Sequence, residues 1–118
     1  MYNIFYMSHI TEIRTYIKDL DVLKKAVEKL GFSLEGDVIK IPGKAQVRLK
    51  REGDFYNIVI PEAEVLGATL DEVKAEVDAI MQVYAYEVII NQVEQEGYTL
   101  IEQEMLEDGN IRLTVGVE

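Results

Sequence analysis

From His9 to Ile17 the chain alternates. Thr11, Ile13, Thr15 and Ile17 fall on one side, and Glu12, Arg14 and Tyr16 on the other. A period of two is that of a half-buried strand, and it predicts one over residues 9–17. The period then changes: Leu20, Leu23, Val27 and Leu30 recur at spacings of three, four and three, which lines them along one side of a helix. Asp19 is placed to cap that helix, Asp21 favours the positive end of its dipole, and Gly31 supplies the left-handed residue that ends it.

Between residues 32 and 69 the pattern is broken by Gly36, Pro42, Gly43 and Gly53. The run VIKI predicts a brief strand. Ala45, Val47 and Leu49 alternate with Gln46, Arg48 and Lys50, and EGD then turns the chain into FYNIVI, so residues 45–60 read as a hairpin. Thr69 and Glu72 have the spacing of a capping box, with Ala68 and Val73 placed as a hydrophobic staple. From there Leu70, Val73, Val77, Ile80, Tyr84 and Val88 form a helical stripe, widened by Met81, Ala85 and Ile89 and ended by Gly97. Unbroken, this helix would be about 40 Å long at 1.5 Å per residue. That is long for so small a chain, and the pattern leaves open whether the helix is continuous, kinked or broken.

The last segment, YTLIEQEMLEDGNIRLTVGVE, predicts a hairpin whose register depends on the turn. A two-residue turn at Asp108-Gly109 would put Glu102 and Glu104 on the same face as Leu113 and Val115. A three-residue turn at Glu107-Asp108-Gly109 instead pairs Met105 with Ile111, Gln103 with Leu113 and Ile101 with Val115. It also sets Glu104 opposite Arg112, and it keeps carboxylates off the apolar face, so it is the predicted register.

Two striped helices and several strands make an α+β fold. The expected architecture is a two-layer sandwich, with two helices on one face of a mostly antiparallel sheet of five to six strands and a β-hairpin at the end. If the strands joined by the first helix are neighbours, they run parallel with a right-handed crossover. Residues 1–118 are expected to form one domain.

Composition narrows the chemistry. The chain has 118 residues, 48% of them hydrophobic and 29% charged, with no cysteine and one histidine. That excludes a disulfide framework, a thiol nucleophile and a cysteine metal cluster, and a lone histidine argues against structural zinc. No apolar run reaches the roughly 18 residues of a membrane span, and MYNIFYMSH lacks the features of a signal peptide. The expectation is a soluble, cytoplasmic protein without a membrane role.

Charge is unevenly divided. Residues 1–60 hold ten Lys or Arg against eight Asp or Glu, whereas residues 61–118 hold two against fourteen. The net charge of −10 disfavours nucleic acid and anionic membrane. Lys40, Lys44, Arg48, Lys50 and Arg51 nevertheless crowd into twelve residues without an acid, near Phe55 and Tyr56. Lys44, Arg48, Lys50 and Arg51 are therefore the candidate anion or nucleic-acid contacts, cations for phosphate beside rings for bases. Intramolecular or partner contact with acids is the competing reading.

Catalytic signals are thin. His9 can serve as base, ligand or pH switch, but Ser8 beside it would point to the opposite face of a strand, so the two make no dyad. Glu102 and Glu104 share a strand face and could share a cation with a third acid, whereas Arg112 offers a simpler partner. Neither a phosphate loop nor a dinucleotide fingerprint is present. Tyr84 lies on the apolar stripe and reads as core. Tyr86 lies about 200° away around the helix and is a candidate anchor for a partner.

Two stretches carry a family resemblance. MSHITEIRTYIKDLDVLKKAVEKLGF, from Met7, and QVYAYEVIINQVEQEGYTLIEQEMLEDGNIRLTV, from Gln82, resemble the family known as hypothetical chloroplast reading frame 35, found in plastids, cyanobacteria and other bacteria. The pattern departs at Val83, where the family has an arginine. Members begin at Met-Ser-His, which makes residues 1–6 an expected N-terminal extension. The resemblance supplies no activity, and it implies accessory work with an AAA-type ATPase.

Together these observations predict a non-catalytic interaction or accessory module, without a cofactor or metal, acting with a protein partner or a second copy of itself. Its candidate contact residues are Ser8, His9, Tyr86, Glu102, Glu104 and Arg112. The alternatives are single-stranded nucleic-acid binding through the basic 40–51 hairpin and a small enzyme or metal-binding domain using His9 and acidic residues.

Overall fold

A computed structural model describes residues 9–105 and 111–117. The chain divides into two compact units, residues 1–84 and 85–118. In order, the first unit contains β1 (Ile10–Ile17), α1 (Leu20–Lys29), β2 (Ser33–Glu35), β3 (Val38–Ile41), β4 (Ala45–Glu52) and β5 (Phe55–Pro61). A short 3-10 turn, Glu62–Glu64, follows, and then α2 runs from Leu70 to Gln95 as a single helix.

The five strands form one antiparallel sheet in the order β1-β5-β4-β3-β2. β2 to β5 are a meander of three hairpins. Two of its turns are Gly-Asp pairs, closed by Glu35 opposite Val38 and by Glu52 opposite Phe55. Gly36 and Gly53 take φ of 61° and 63° at the first turn position, where a side chain would be strained. β1 and β2 run in the same direction but lie at opposite edges, so α1 joins strands with three others between them.

Sequence alternation explains which face is covered. Thr15, Ile17, Ile39, Ile41, Ala45, Val47, Leu49, Ile58 and Ile60 are buried and share one face. Facing positions interlock in rows, with Ile13 and Leu49 flanking Ile58, and Leu34 and Val47 flanking Ile39. The helices contribute Val22, Leu23, Ala26 and Val27 from α1 and Val73, Val77, Ile80 and Tyr84 from α2. Each large aliphatic side chain so buried is worth roughly 1.5–3 kcal/mol. This is the α+β arrangement the periodicities predict.

The caps follow the sequence. Asp19 Oδ1 accepts from the amides of Asp21 and Val22 at 2.9 and 3.2 Å. At the start of α2 the capping box is reciprocal: Thr69 Oγ1 accepts from the Glu72 amide, and Glu72 Oε1 from the Thr69 amide, both at 3.2 Å. Gly67 just before it has φ of 87°, and a Cβ there would lie 2.6 Å from the Gly43 carbonyl oxygen. Only glycine lets these two loops close on each other.

In the second unit β6 (Tyr98–Met105) and β7 (Ile111–Val117) form a separate antiparallel pair. Met105 pairs with Ile111, Gln103 with Leu113 and Glu104 with Arg112, in the predicted register. Val115 pairs with Leu100 rather than Ile101, because a bulge between Leu100 and Glu102 inserts one residue into β6. The turn residues themselves lie outside those described.

Candidate functional site

The uncovered face of the five-stranded sheet concentrates the polar chemistry of the first unit. Alternation on β1 sends Glu12, Arg14 and Tyr16 there, and β4 contributes Arg48, Lys50 and Glu52. At its centre is Asn57 of β5, which is only 4% exposed although it lies on the open side. Burial of an amide without partners would be costly. Here the Asn57 side-chain nitrogen donates to Glu12 Oε2 at 2.9 Å and to Glu52 Oε2, while Lys50 Nζ reaches Glu12 Oε1 at 3.2 Å. The Asn57 hydrogen bond, with Lys50 adding to it, holds the Glu12 carboxyl below the usual carboxylate range.

The basic hairpin is met by acids. Arg48 Nη2 donates to Glu64 Oε1 at 2.8 Å, which raises the Arg48 pKa further. Lys44 Nζ lies 3.5 Å from Glu76 Oε2, and Lys40 Nζ lies 3.0 Å from Glu35 Oε2. Arg51 turns back on its own hairpin, bonding the Gly53 carbonyl at 3.2 Å and the Tyr56 hydroxyl at 3.4 Å, with its guanidinium 5.7 Å from the Tyr56 ring centre. Glu64, Glu76 and Glu35 were not singled out by the sequence, because nothing local connects them with the cations they meet.

Apolar surface stands beside this network. Tyr16 is 79% exposed and meets Phe55, 37% exposed, edge to face with ring centres 5.8 Å apart. The strand is shaped for that display. Between Ile13 and Ile17 the register of β1 against β5 shifts, Thr15 Oγ1 donates to the Tyr56 carbonyl, and the Ile17 amide donates to Thr15 Oγ1 at 2.9 Å. Thr15 thus satisfies the bulge from the buried side while Tyr16 projects outward.

The remaining candidates are dispersed. His9 Nδ1 lies 3.1 Å from Glu62 Oε2, and the Glu62 amide donates to the His9 carbonyl at 2.8 Å, so the pair fastens the start of β1 to the end of β5. Ser8 lies outside the described residues. Tyr86 is half-buried rather than standing free. Arg112 Nη1 lies 3.7 Å from Glu104 Oε2 on the surface of the hairpin, and Glu102 pairs with Thr114 in the ladder. Among the described residues no group of three or more histidine, aspartate or glutamate side chains is arranged to hold a metal ion. Among them, too, no helix is long and apolar enough to cross a membrane.

A residue the pattern placed correctly but understood incompletely is Tyr84. Its ring is core, and its hydroxyl accepts from the amides of Lys18 and Asp19 at 2.9 and 3.0 Å, fixing the corner between β1 and α1.

Comparison with known proteins places residues 17–114 in the match to a family described as protein of unknown function, DUF1257. An uncharacterized protein ycf35 from Cyanophora paradoxa is 29% identical over 123 residues, covering 92% of this chain and 96% of that protein. The uncharacterized protein ycf35 of Pyropia yezoensis is 28% identical over 125 residues, with the same coverage of each chain. No solved structure matches.

Proposed function

The chain belongs to the DUF1257 family, whose function is unknown, and from that premise we propose that it is a non-catalytic protein-interaction module that docks a partner on the open face of its sheet. The observation that carries this reading is the Tyr16–Phe55 pair, two rings held edge to face and left exposed beside a satisfied polar network. Exposed aromatics of this kind supply contact area at small entropic cost and are enriched at the centres of protein interfaces. The paired state of Lys44, Arg48 and Lys50 favours a protein over a nucleic acid, because phosphate would have to displace carboxylates already in place. An AAA-type ATPase is the partner class that the resemblance to reading-frame-35 proteins implies, with the protein as its accessory in the cytoplasm.

The test is capture of the tagged full chain from its host at near-physiological salt, beside a Phe55→Ser variant. Phe55 is at the surface of a hairpin end, so the variant is expected to fold. A stoichiometric protein recovered with the native chain and depleted about tenfold or more with the variant supports the reading. Equal recovery by both moves the docking surface elsewhere, and recovery of nucleic acid alone rejects the proposal.

A further inference from the structure

β1 is an edge strand, and its sequence is complementary to itself. Among the described residues its one strand neighbour is β5. The Glu62 amide bonds the His9 carbonyl. In an antiparallel ladder that directs the backbone groups of His9, Thr11 and Ile13 toward β5 and those of Ile10 and Glu12 toward the open edge. An edge of this kind is a template for another strand. Beyond Ile13 the register against β5 shifts, yet exposed and covered positions keep alternating as far as Ile17, so Ile10, Glu12, Arg14 and Tyr16 remain one outer row.

We propose that β1 is the contact strand of a symmetric dimer, pairing antiparallel with β1 of a second copy about a twofold axis at Ile13. That register sets Glu12 opposite Arg14 of the second copy and Arg14 opposite its Glu12. It brings Ile10, 53% exposed, against Tyr16 of the second copy, 79% exposed, and the reverse. On the inner face Ile13 meets its own image, with Thr11 and Thr15 flanking it. Every outer contact is thus either an opposite-charge pair or an aliphatic-aromatic pair, and each occurs twice, which is the signature of an isologous interface. A register one pair away from this one would set Glu12 opposite its own image, with like charges in contact.

Among the described residues these groups retain binding capacity. Arg14 has no hydrogen bond or ion pair to any described residue, although its charge is felt by Glu12. Glu12 binds Lys50 and Asn57 through one contact on each oxygen, and a carboxylate has about four acceptor positions. The proposal concerns the edge of β1 and a second copy. It therefore goes beyond the docking of a different protein on the sheet face and does not depend on it.

The experiment is sedimentation equilibrium on the purified full chain from micromolar to millimolar concentration, with three variants checked for folding by circular dichroism. The native chain is expected to reach twice its monomer mass. Glu12→Arg and Arg14→Glu each place like charges opposite at two symmetric contacts and should weaken dimerisation about tenfold or more. An equimolar mixture of those two variants restores both opposite-charge contacts in a heterodimer, so association should return in the mixture although neither variant self-associates. Ile10→Asp, which leaves the Glu12 network intact, should weaken association as well. That variant, with Arg14→Glu, keeps the test open if Glu12→Arg does not fold. A native chain that stays monomeric overturns the proposal. So does a dimer indifferent to Arg14→Glu and Ile10→Asp, or a mixture of folded variants that fails to associate.

Discussion

Replacing Tyr84 by Phe isolates one oxygen. The ring fills the same volume, so no cavity forms, and what changes is that the amides of Lys18 and Asp19 lose the acceptor they share at 2.9 and 3.0 Å. Both amides precede the first turn of α1, where helix geometry supplies no acceptor for them. A made hydrogen bond is worth about 0.5–1.5 kcal/mol net, and a buried donor left without a partner costs about 1–3 kcal/mol. The site is partly rather than fully buried, so water can reach it in part, and the expected loss is about 1.5–3 kcal/mol for the two bonds together. In a chain of this size that corresponds to a fall in melting temperature of roughly 5–15 °C. Urea denaturation followed by circular dichroism measures the loss directly, and an unchanged slope confirms that the same surface is exposed on unfolding. Hydrogen exchange adds a local readout, since the Lys18 and Asp19 amides should lose protection before those of β4. A loss below about 0.5 kcal/mol, with protection of those two amides retained, would show that the hydroxyl does not hold this corner.

Three further changes probe the loops and the polar face. Gly67→Ala combines a φ of 87° with a backbone oxygen 2.6 Å from the new Cβ, and should cost more than about 2 kcal/mol, whereas Gly36→Ala, with φ of 61° and open space around it, should cost about 1–2 kcal/mol. Equal losses in the two denaturation curves would remove the role given to the close approach of Gly67 to Gly43. Glu12 has its folded-state pKa lowered by Asn57 and Lys50, so the folded protein takes up its proton less readily than the unfolded chain. The stabilisation is therefore complete above the ordinary glutamate range and fades as pH falls through the lowered value. Native protein should exceed Glu12→Gln in stability at neutral pH and lose that advantage in acid, and a pH-independent difference would contradict the assignment.

Local signals in the sequence were sufficient wherever one element or one turn decided the outcome. Asp19, Thr69 and Glu72 cap as their spacing predicts, and Met105 pairs with Ile111 and Glu104 with Arg112 as the chosen register predicts. The failures share a different cause. β2 is three residues long and carries too little alternation to be read, and its place at the far edge depends on the two hairpins that follow it. Ile101 was assigned the partner that belongs to Leu100, since a bulge in mid-strand leaves no glycine or proline to mark it. At the candidate site, the cations and the odd-even display of Tyr16 were legible. Asn57 was not, because an asparagine within FYNIVI looks like an ordinary outward residue until Glu12 and Glu52 are brought to it from 45 and 5 positions away. The apolar stripe showed Tyr84 as core, but only the tertiary fold reveals what its hydroxyl binds.

The order β1-β5-β4-β3-β2 has a consequence for synthesis. On the ribosome β1 emerges before the other four strands of its sheet, yet its partner ends at Pro61 and is the last of the five to be made. The meander from β2 to β5 can close turn by turn through contacts between near neighbours, whereas β1 must remain open until the whole of it is out. During that interval Ile10, Ile13 and Ile17 are available to chaperones and to other nascent chains. Glu12 and Arg14 interrupt the apolar run of the waiting strand, so an unrelated apolar segment gains little by pairing there in the meantime.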